Sequence, residues 1–384
     1  MDNIQKTQYD MIYLASCGVN GTAPDKEYIG GIDIAQLYKL CRTHLLEALV
    51  GTVLKQAGVS LPEDWSQRIS KAVRKNILLD TERKKLFAFM EKAGIWYLPL
   101  KGIILKDYYP ALGMRQMADN DILFDKAFSG EVQKFMESEG YRGENIGAGN
   151  HDVYKKEPVM NFELHRALFS DFNQSNFYEY YKDVKKRLIL NEGCSFGYHF
   201  SKEDFYIYII SHAYKHYTSG GTGLRTLLDF YVYLKAAEEK MDFAYIEKEC
   251  AALGTGGFEK QSRTLCKKVF EASKAMNYEA FESSLSEEEK AMLLYYLTSG
   301  VYGTVEHSID NRINKYREEK SGSKLRYLLS RLFPSVESYK VCYPFFYKHK
   351  WLLPAGWLYR LLRAVFDKKR RKNISREINA VKNK

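Results

Sequence analysis

Proline is scarce in this chain, at 8 of 384 residues, too few for the Pro-rich spacers that hold domains apart. Cysteine is scarce too. Cys17, Cys41, Cys194, Cys250, Cys266 and Cys342 are scattered, with no CxxC pair. That argues against a zinc module and against a dense disulfide framework, and a reducing cytoplasm is the expected setting. No apolar run reaches the ~18 residues a membrane-spanning helix needs. The opening stretch MDNIQKTQYD carries acids and no apolar core, so no signal peptide is expected. Negative charge is in deficit, and the formal net charge is +10. The imbalance is local: residues 360–384 hold ten Lys/Arg against two acids, which leaves the rest of the chain near +2. What the chain does have is a 45% hydrophobic content and 30 tyrosines, enough for a real core.

Residues 32–57 and 66–93 carry apolar residues at helical spacing, and Gly94 ends the second run. The period then changes. IWYLPLKG (95–102) reads as a strand with glycine at its end, and Pro99 places it at a sheet edge or a bulge. Residues 103–109 read as a short helix, DNDILF as the next strand and 127–139 as a helix. Residues 151–168 read as a hairpin turning at Lys156-Glu157-Pro158. In its second arm Met160, Phe162 and Leu164 face one side, and Asn161, Glu163 and His165 the other. Beyond residue 200 the pattern is helical. The expected fold is therefore α+β, with a small mixed sheet set among helices. The expected organisation is a helical region over 1–79, a mixed core over 80–200 and a helical domain with a basic tail over 201–384.

Asp119 and Asp121 are the unusual residues. In a strand, residues i and i+2 point to the same face, roughly 6.5 Å apart. Two acids there repel unless a cation joins them. Hard cations such as Mg²⁺ take carboxylate oxygens together with substrate phosphates. Two such ions about 3.5–4 Å apart can clamp the attacking and leaving oxygens of a phosphoryl displacement. Glu163, on the polar face of a later strand, is a third candidate carboxylate. Lys101 at the strand end and Arg115 just before the DxD are candidate phosphate contacts.

The ordered set LPLKGIILKDYYPALGMRQMADNDILF (98–124), NFELH (161–165) and HAYKHYTSGGTGLRTLLDF (212–230) resembles the uncharacterised nucleotidyltransferase family of the DNA polymerase β superfamily. The resemblance implies transfer of a nucleoside monophosphate from an NTP to a hydroxyl acceptor, with release of pyrophosphate. It implies that Asp119, Asp121 and Glu163 bind Mg²⁺ or Mn²⁺ and carry catalysis, and that Gly102 lets the backbone approach the triphosphate. Two positions depart from the family pattern. Ile103 follows Gly102 where a second Gly or a Ser is usual, and Asn120 replaces an aliphatic residue between the two aspartates.

Other features are read more plainly. His165 is expected to orient Glu163 or cap the sheet. His212 and His216 share a helix face, without the HExxH pattern, and His212 is expected beside the nucleotide or in packing. Gly220, Gly221 and Gly223 form a loop that lacks the Lys-Ser/Thr of a P-loop. Arg225 and Asp229 are expected to pair or to line the cleft. Residues 354–366 place Trp357, Leu358, Leu361, Leu362 and Val365 on one helical stripe ahead of DKKRRKNISR. Residues 354–384 could thus rest on an anionic membrane or on RNA, or the stripe could dock on the protein. The acceptor stays open among a small molecule, a protein and an RNA. The rival reading is a non-catalytic nucleotide-sensing or membrane- or RNA-tethered binding protein on the same fold.

Overall fold

The computed structural model describes residues 2–147, 149–171, 175–271, 277–320 and 343–367, together with 333, 336, 339 and 371. They divide into two compact units, Met1–Tyr214 with Gly223–Val301, and Lys215–Thr222 with Tyr302–Lys384.

The first unit begins with helices α1 (Asn3–Asn20), α2 (Lys26–Gly30), α3 (Ile34–His44), α4 (Glu47–Gln56) and α5 (Glu63–Ala93). Asp2 and Gln5 close a reciprocal capping box at the start of α1, and the Asp33 carboxylate caps α3. The apolar run 32–57 forms two helices rather than one, because Leu45 turns left-handed at φ 52°. Gly94, at φ 70°, ends α5 as its position in the sequence predicts. Helix α1 is buried from Met11 to Val19 without interruption and packs on α3, α4 and a later helix. Burial on several sides erases the one-sided period that marks a surface helix, so sequence spacing gives no sign of it.

The sheet is built from β1 (Tyr97–Pro99), β2 (Asn120–Phe124), β3 (Arg142–Glu144), β4 (His151–Lys156) and β5 (Met160–His165), in the spatial order β1-β2-β5-β4-β3. Only β2 and β5 run parallel. The one-turn helix α6 (Gly102–Leu105) follows β1, and α7 (Ser129–Ser138) follows β2. The architecture is α+β with a small mixed sheet, and β1, carrying Pro99, is one of its two edge strands.

Register gives the sheet two unlike faces. On one, Ile122, Phe124, Tyr154, Phe162 and Leu164 pack against Leu79, Leu86 and Met90 of α5 and Val132 and Met136 of α7. Each such side chain contributes roughly 1.5–3 kcal/mol on burial, so this layer fixes the sheet on α5. Asp121, Leu123, Glu163 and His165 stand on the other face.

The unit continues through α8 (Ser175–Tyr181), the short hairpin β6 (Ile189–Leu190) and β7 (Tyr198–His199), and helices α9 (Lys202–Tyr217, in this unit as far as Tyr214), α10 (Leu224–Ala237), α11 (Phe243–Ala252), α12 (Gly256–Phe270), α13 (Tyr278–Ser284) and α14 (Glu287–Ser299). No helix among the described residues is long and apolar enough to cross a membrane, and the five described cysteines are free.

In the second unit, α15 (Val305–Lys320) is preceded by a turn in which Thr304 N–H donates to Gly220 O at 2.7 Å. Asn311 Nδ2 donates to the carbonyls of Tyr217 and Ser219. The glycine loop is thus fixed by backbone pairing. Helices α16 (Pro344–Lys348) and α17 (Leu353–Phe366) follow. In α17 the predicted stripe is split: Trp357 and Leu361 are half-buried, while Leu358 and Leu362 are exposed. Most of the basic run beyond it, 368–370 and 372–384, lies outside the described residues.

Candidate active site

The site is centred where β2 and β5 run side by side. Asp121 and Glu163 are paired in register across this parallel ladder, and Leu123 pairs with His165 one rung on. Period two places all four on the face away from the α5 layer. The Asp121 Oδ1 accepts from Lys101 Nζ at 2.8 Å and lies 2.9 Å from His165 Nε2. His165 therefore positions Asp121. Its distance to Glu163 Oε2 is 3.9 Å, too long for a hydrogen bond, so the expected His165–Glu163 contact is not formed. His165 Nδ1 is buried with no hydrogen-bond partner. Burial lowers the His165 pKa to about 4 against the pull of Asp121, so the ring is neutral at pH 7. A neutral ring whose Nε2 carries the proton donates to Asp121 and leaves Nδ1 as the unmet acceptor.

Asp119 lies just ahead of β2 rather than in it, and side chains from two helices and a backbone N–H from a third hold the loop that carries it. Lys75 Nζ donates to Ala118 O at 2.7 Å, and Asn76 Nδ2 donates to Arg115 O at 3.3 Å, both from α5. Arg225 Nη1 of α10 donates to Gln116 O at 3.1 Å, and Gln116 Oε1 accepts from Ala48 N–H of α4. These donors meet carbonyls that a loop leaves unpaired. Asn120 turns to the core face, where it is fully buried. It is satisfied there: its Oδ1 accepts from Arg83 at 2.9 Å and its Nδ2 donates to Leu79 O at 3.0 Å. The polar residue between the aspartates thus ties β2 to α5.

Lys101 sits at φ 45°, ψ −112°, a conformation costly for a residue with a side chain. It lies in the turn between β1 and α6, and Leu100 N–H donates to Asp121 O. Gly102 follows at ordinary φ, and space is its reason. A Cβ there would lie 2.6 Å from Arg115 Nη1 and 2.9 Å from Met117 Sδ. Arg115 cannot yield, because it is buried and grips Asp229 with two bonds, Nε–Oδ1 at 2.8 Å and Nη2–Oδ2 at 2.9 Å. Tyr109 Oη donates to the same Asp229 Oδ1 at 2.8 Å. Asp229 therefore pairs with Arg115 and not with Arg225. His212 is half-buried on α9, its ring 6.3 Å from that of Tyr208.

The electrostatics of the acids are unequal. Burial works against the Asp121 carboxylate, but Lys101 and then His165 outweigh it and hold it well below the usual range. Asp119 accepts no hydrogen bond from the described residues. Burial, then repulsion from Asp121, lifts it to about 6, against the pull of Lys101, Arg225 and Lys75. Burial, then Asp121 and Asp119, lifts Glu163 to about 7. The cluster holds more negative charge than its own cations neutralise. Ligand atoms of Asp121, Glu163 and His165 all lie within 4.8 Å of one another, and Asp119 lies outside that group. Clustered oxygen donors, two of them raised by burial and then by mutual repulsion, fit a hard divalent cation.

Sequence reasoning missed Lys75, Arg225 as a neighbour of Asp119, and Tyr208. The buried Tyr208 hydroxyl is raised chiefly by burial, with Lys101, Asp121 and Glu163 as its charged neighbours. Lys75 and Tyr208 sit in helical runs that read as ordinary amphipathic faces, so no local signal marks them.

A DxD leading into a strand, an acid in register on the parallel neighbour and a glycine turn thus come together in one part of the sheet. The chain belongs to a family described as uncharacterised nucleotidyltransferases, whose model matches residues 30–271. No curated protein and no solved structure gives a significant match.

Proposed function

We propose that the protein is a metal-dependent nucleotidyltransferase that moves a nucleoside monophosphate from an NTP to a hydroxyl acceptor. The observation that carries this is the Asp121–Glu163 rung with Asp119 beside it, three carboxylates whose charge the protein leaves partly uncompensated. Asp119, Asp121 and Glu163 would hold Mg²⁺ or Mn²⁺, which when bound neutralises the charge that builds on the phosphate oxygens. His165 keeps the Asp121 carboxylate aimed. Lys101 and the backbone around Gly102 face the triphosphate, and Arg115, locked on Asp229, holds that turn in place. Glu163, raised toward neutrality, is suited to accept the hydroxyl proton.

In the reaction the acceptor oxygen forms a bond to the α-phosphorus. The bond from that phosphorus to the α,β-bridging oxygen breaks, and pyrophosphate leaves with the electron pair. The acceptor proton passes to Glu163. Most of the acceleration comes from positioning and charge stabilisation. The cytoplasm, where Mg²⁺–NTP is abundant, is the proposed location.

The test is label transfer. Purified protein is incubated with Mg²⁺ and each α-labelled NTP, with and without cell extract, beside Asp121→Asn. Label moving to an acceptor with the wild type alone supports the reading. Nucleotide bound equally by both proteins, with no label moved from any NTP, would replace it with the binding-protein reading.

A further inference from the structure

A cavity of about 480 Å³ is lined in part by Leu123, two residues along β2 from Asp121 and on the same strand face. Leu123, which pairs with His165, forms part of its floor, so it starts about 7 Å along the strand from Asp121. β1 and β2 are antiparallel, so their ends fix a direction. Leu100 N–H bonds Asp121 O, which sets the Lys101–Gly102 turn at one end of the site. Asp125 N–H bonds Trp96 O, which sets Trp96, a cavity residue, at the other. The carboxylates lie between the turn and the cavity.

The lining is cationic. Lys126 and Lys185 have no carboxylate partner among the described residues. The Lys185 ammonium stands 5.4 Å from the Trp96 ring centre. Arg166 bonds Gly149 O and pairs with Asp152, yet its Nε is buried without a hydrogen-bond partner. The lining holds Lys126, Arg166, Lys182, Lys185 and Lys186 against two acids, Asp125 and Asp183, and Asp183 pairs with Lys186. The cations are thus in surplus, over a floor that includes the buried Tyr181.

We infer that this cavity is the acceptor site, and that the acceptor is a small hydroxyl compound carrying a phosphate group. The inference rests on the transferase reading. Attacking and leaving oxygens are roughly in line across the phosphorus. With the triphosphate at the Lys101–Gly102 turn, the hydroxyl enters from the opposite side, which is the cavity. Lys126, Lys185 and Arg166 hold the phosphate, Trp96 and Tyr181 bound the carbon skeleton, and the hydroxyl is directed back toward Glu163. The volume is that of a small-molecule site, roughly 300–1,000 Å³, and not of a polymer groove.

Two readouts on the full chain test this. First, phenyl phosphate is titrated against tryptophan fluorescence, with Trp96→Phe identifying the responding ring. Saturable quenching is expected in the wild type and in Asp121→Asn, and at least tenfold weaker binding in Lys126→Glu/Lys185→Glu. Both lysines are exposed, so the double variant keeps its fold. Second, label transfer from NTP is compared for ribose 5-phosphate against ribose and for glycerol 3-phosphate against glycerol. The phosphorylated member of at least one pair is expected to win by tenfold or more, and the double variant to lose that preference. Transfer that needs Asp121 but ignores both the phosphate and the lysines overturns the acceptor site and leaves the transferase reading intact. Label appearing only on a macromolecule in extract also overturns it. Phenyl phosphate binding that depends on the lysines, with no transfer from any NTP, upholds an anion site and overturns the transferase reading alone.

Discussion

Replacing Glu163 by Gln isolates the charge that the site stores. The side chain is 26% exposed, and burial, then Asp121 and Asp119, raises its pKa from 4.5 to about 7. Unfolded, the carboxyl ionises near 4.5; folded, it holds its proton to about 7. Between those values the native state binds more protons than the unfolded state, so stability falls as pH rises. Above pH 7 the penalty is complete. A shift of that size corresponds to about 3 kcal/mol, and to about 2 kcal/mol once the solvent reaching the side chain is allowed for. Glu163→Gln removes the charge at nearly constant shape. Without divalent metal, the variant should therefore be more stable than wild type at pH 8, by about 2 kcal/mol or roughly 5 °C in the melting transition. The difference should shrink to nothing near pH 4.5. Mg²⁺ should stabilise the wild type at pH 8 by about 2.7 kcal/mol at a hundred times its dissociation constant, raising its melting temperature, and do much less for the variant. Thermal melts at pH 4.5, 6 and 8, with and without Mg²⁺, give the answer. A variant less stable than wild type in metal-free buffer at pH 8 would refute the idea that Glu163 sits in uncompensated negative charge.

Substitutions at three further positions test the scaffold. Gly102→Ala should cost about 1–3 kcal/mol, since its Cβ meets an Arg115 that Asp229 prevents from moving; a urea titration reads the loss, and an unchanged midpoint contradicts the packing argument. Asp229→Asn leaves the Arg115 guanidinium buried without its counter-charge and should cost about 3–5 kcal/mol, with Asp229→Glu recovering part of it in the same titration. Lys101→Met strips Asp121 of its nearest cation, so the metal-free protein should lose about 2–3 kcal/mol. Added Mg²⁺ should then raise its melting temperature more than it raises that of the wild type.

Local pattern shows some of this site and hides the rest. DNDILF and MNFELH display period two, which is a local property, so the two strands and their polar faces are legible. That β2 and β5 are parallel neighbours, with Asp121 opposite Glu163, is a matter of register between segments some forty residues apart, and no local period records it. The same gap explains the His165 contact. On one strand Glu163 and His165 are only two residues apart, yet the imidazole reaches diagonally across to Asp121 on β2, past its own rung partner Leu123. Arg115 and Asp229 lie 114 residues apart, and the nearer candidate for Asp229 in sequence, Arg225, is committed to a loop carbonyl.

Asn120 shows why the helices belong to the chemistry. A residue between two aspartates that share one strand face must point away from them, into the layer under the sheet, and an aliphatic side chain would merely fill space there. The asparagine bonds both the Arg83 guanidinium and the Leu79 carbonyl of α5, so β2 cannot slide along that helix without breaking two buried hydrogen bonds. Lys75 and Asn76, about two turns earlier on α5, hold the carbonyls of Ala118 and Arg115. One helix thus fixes Asp119 through the loop and Asp121 through the strand. Two mutually repelling carboxylates would otherwise separate whenever no cation lies between them. With α5 gripping both, the distance between them is set by the fold before any ion or nucleotide arrives, which is the preorganisation that charge stabilisation in a transition state requires.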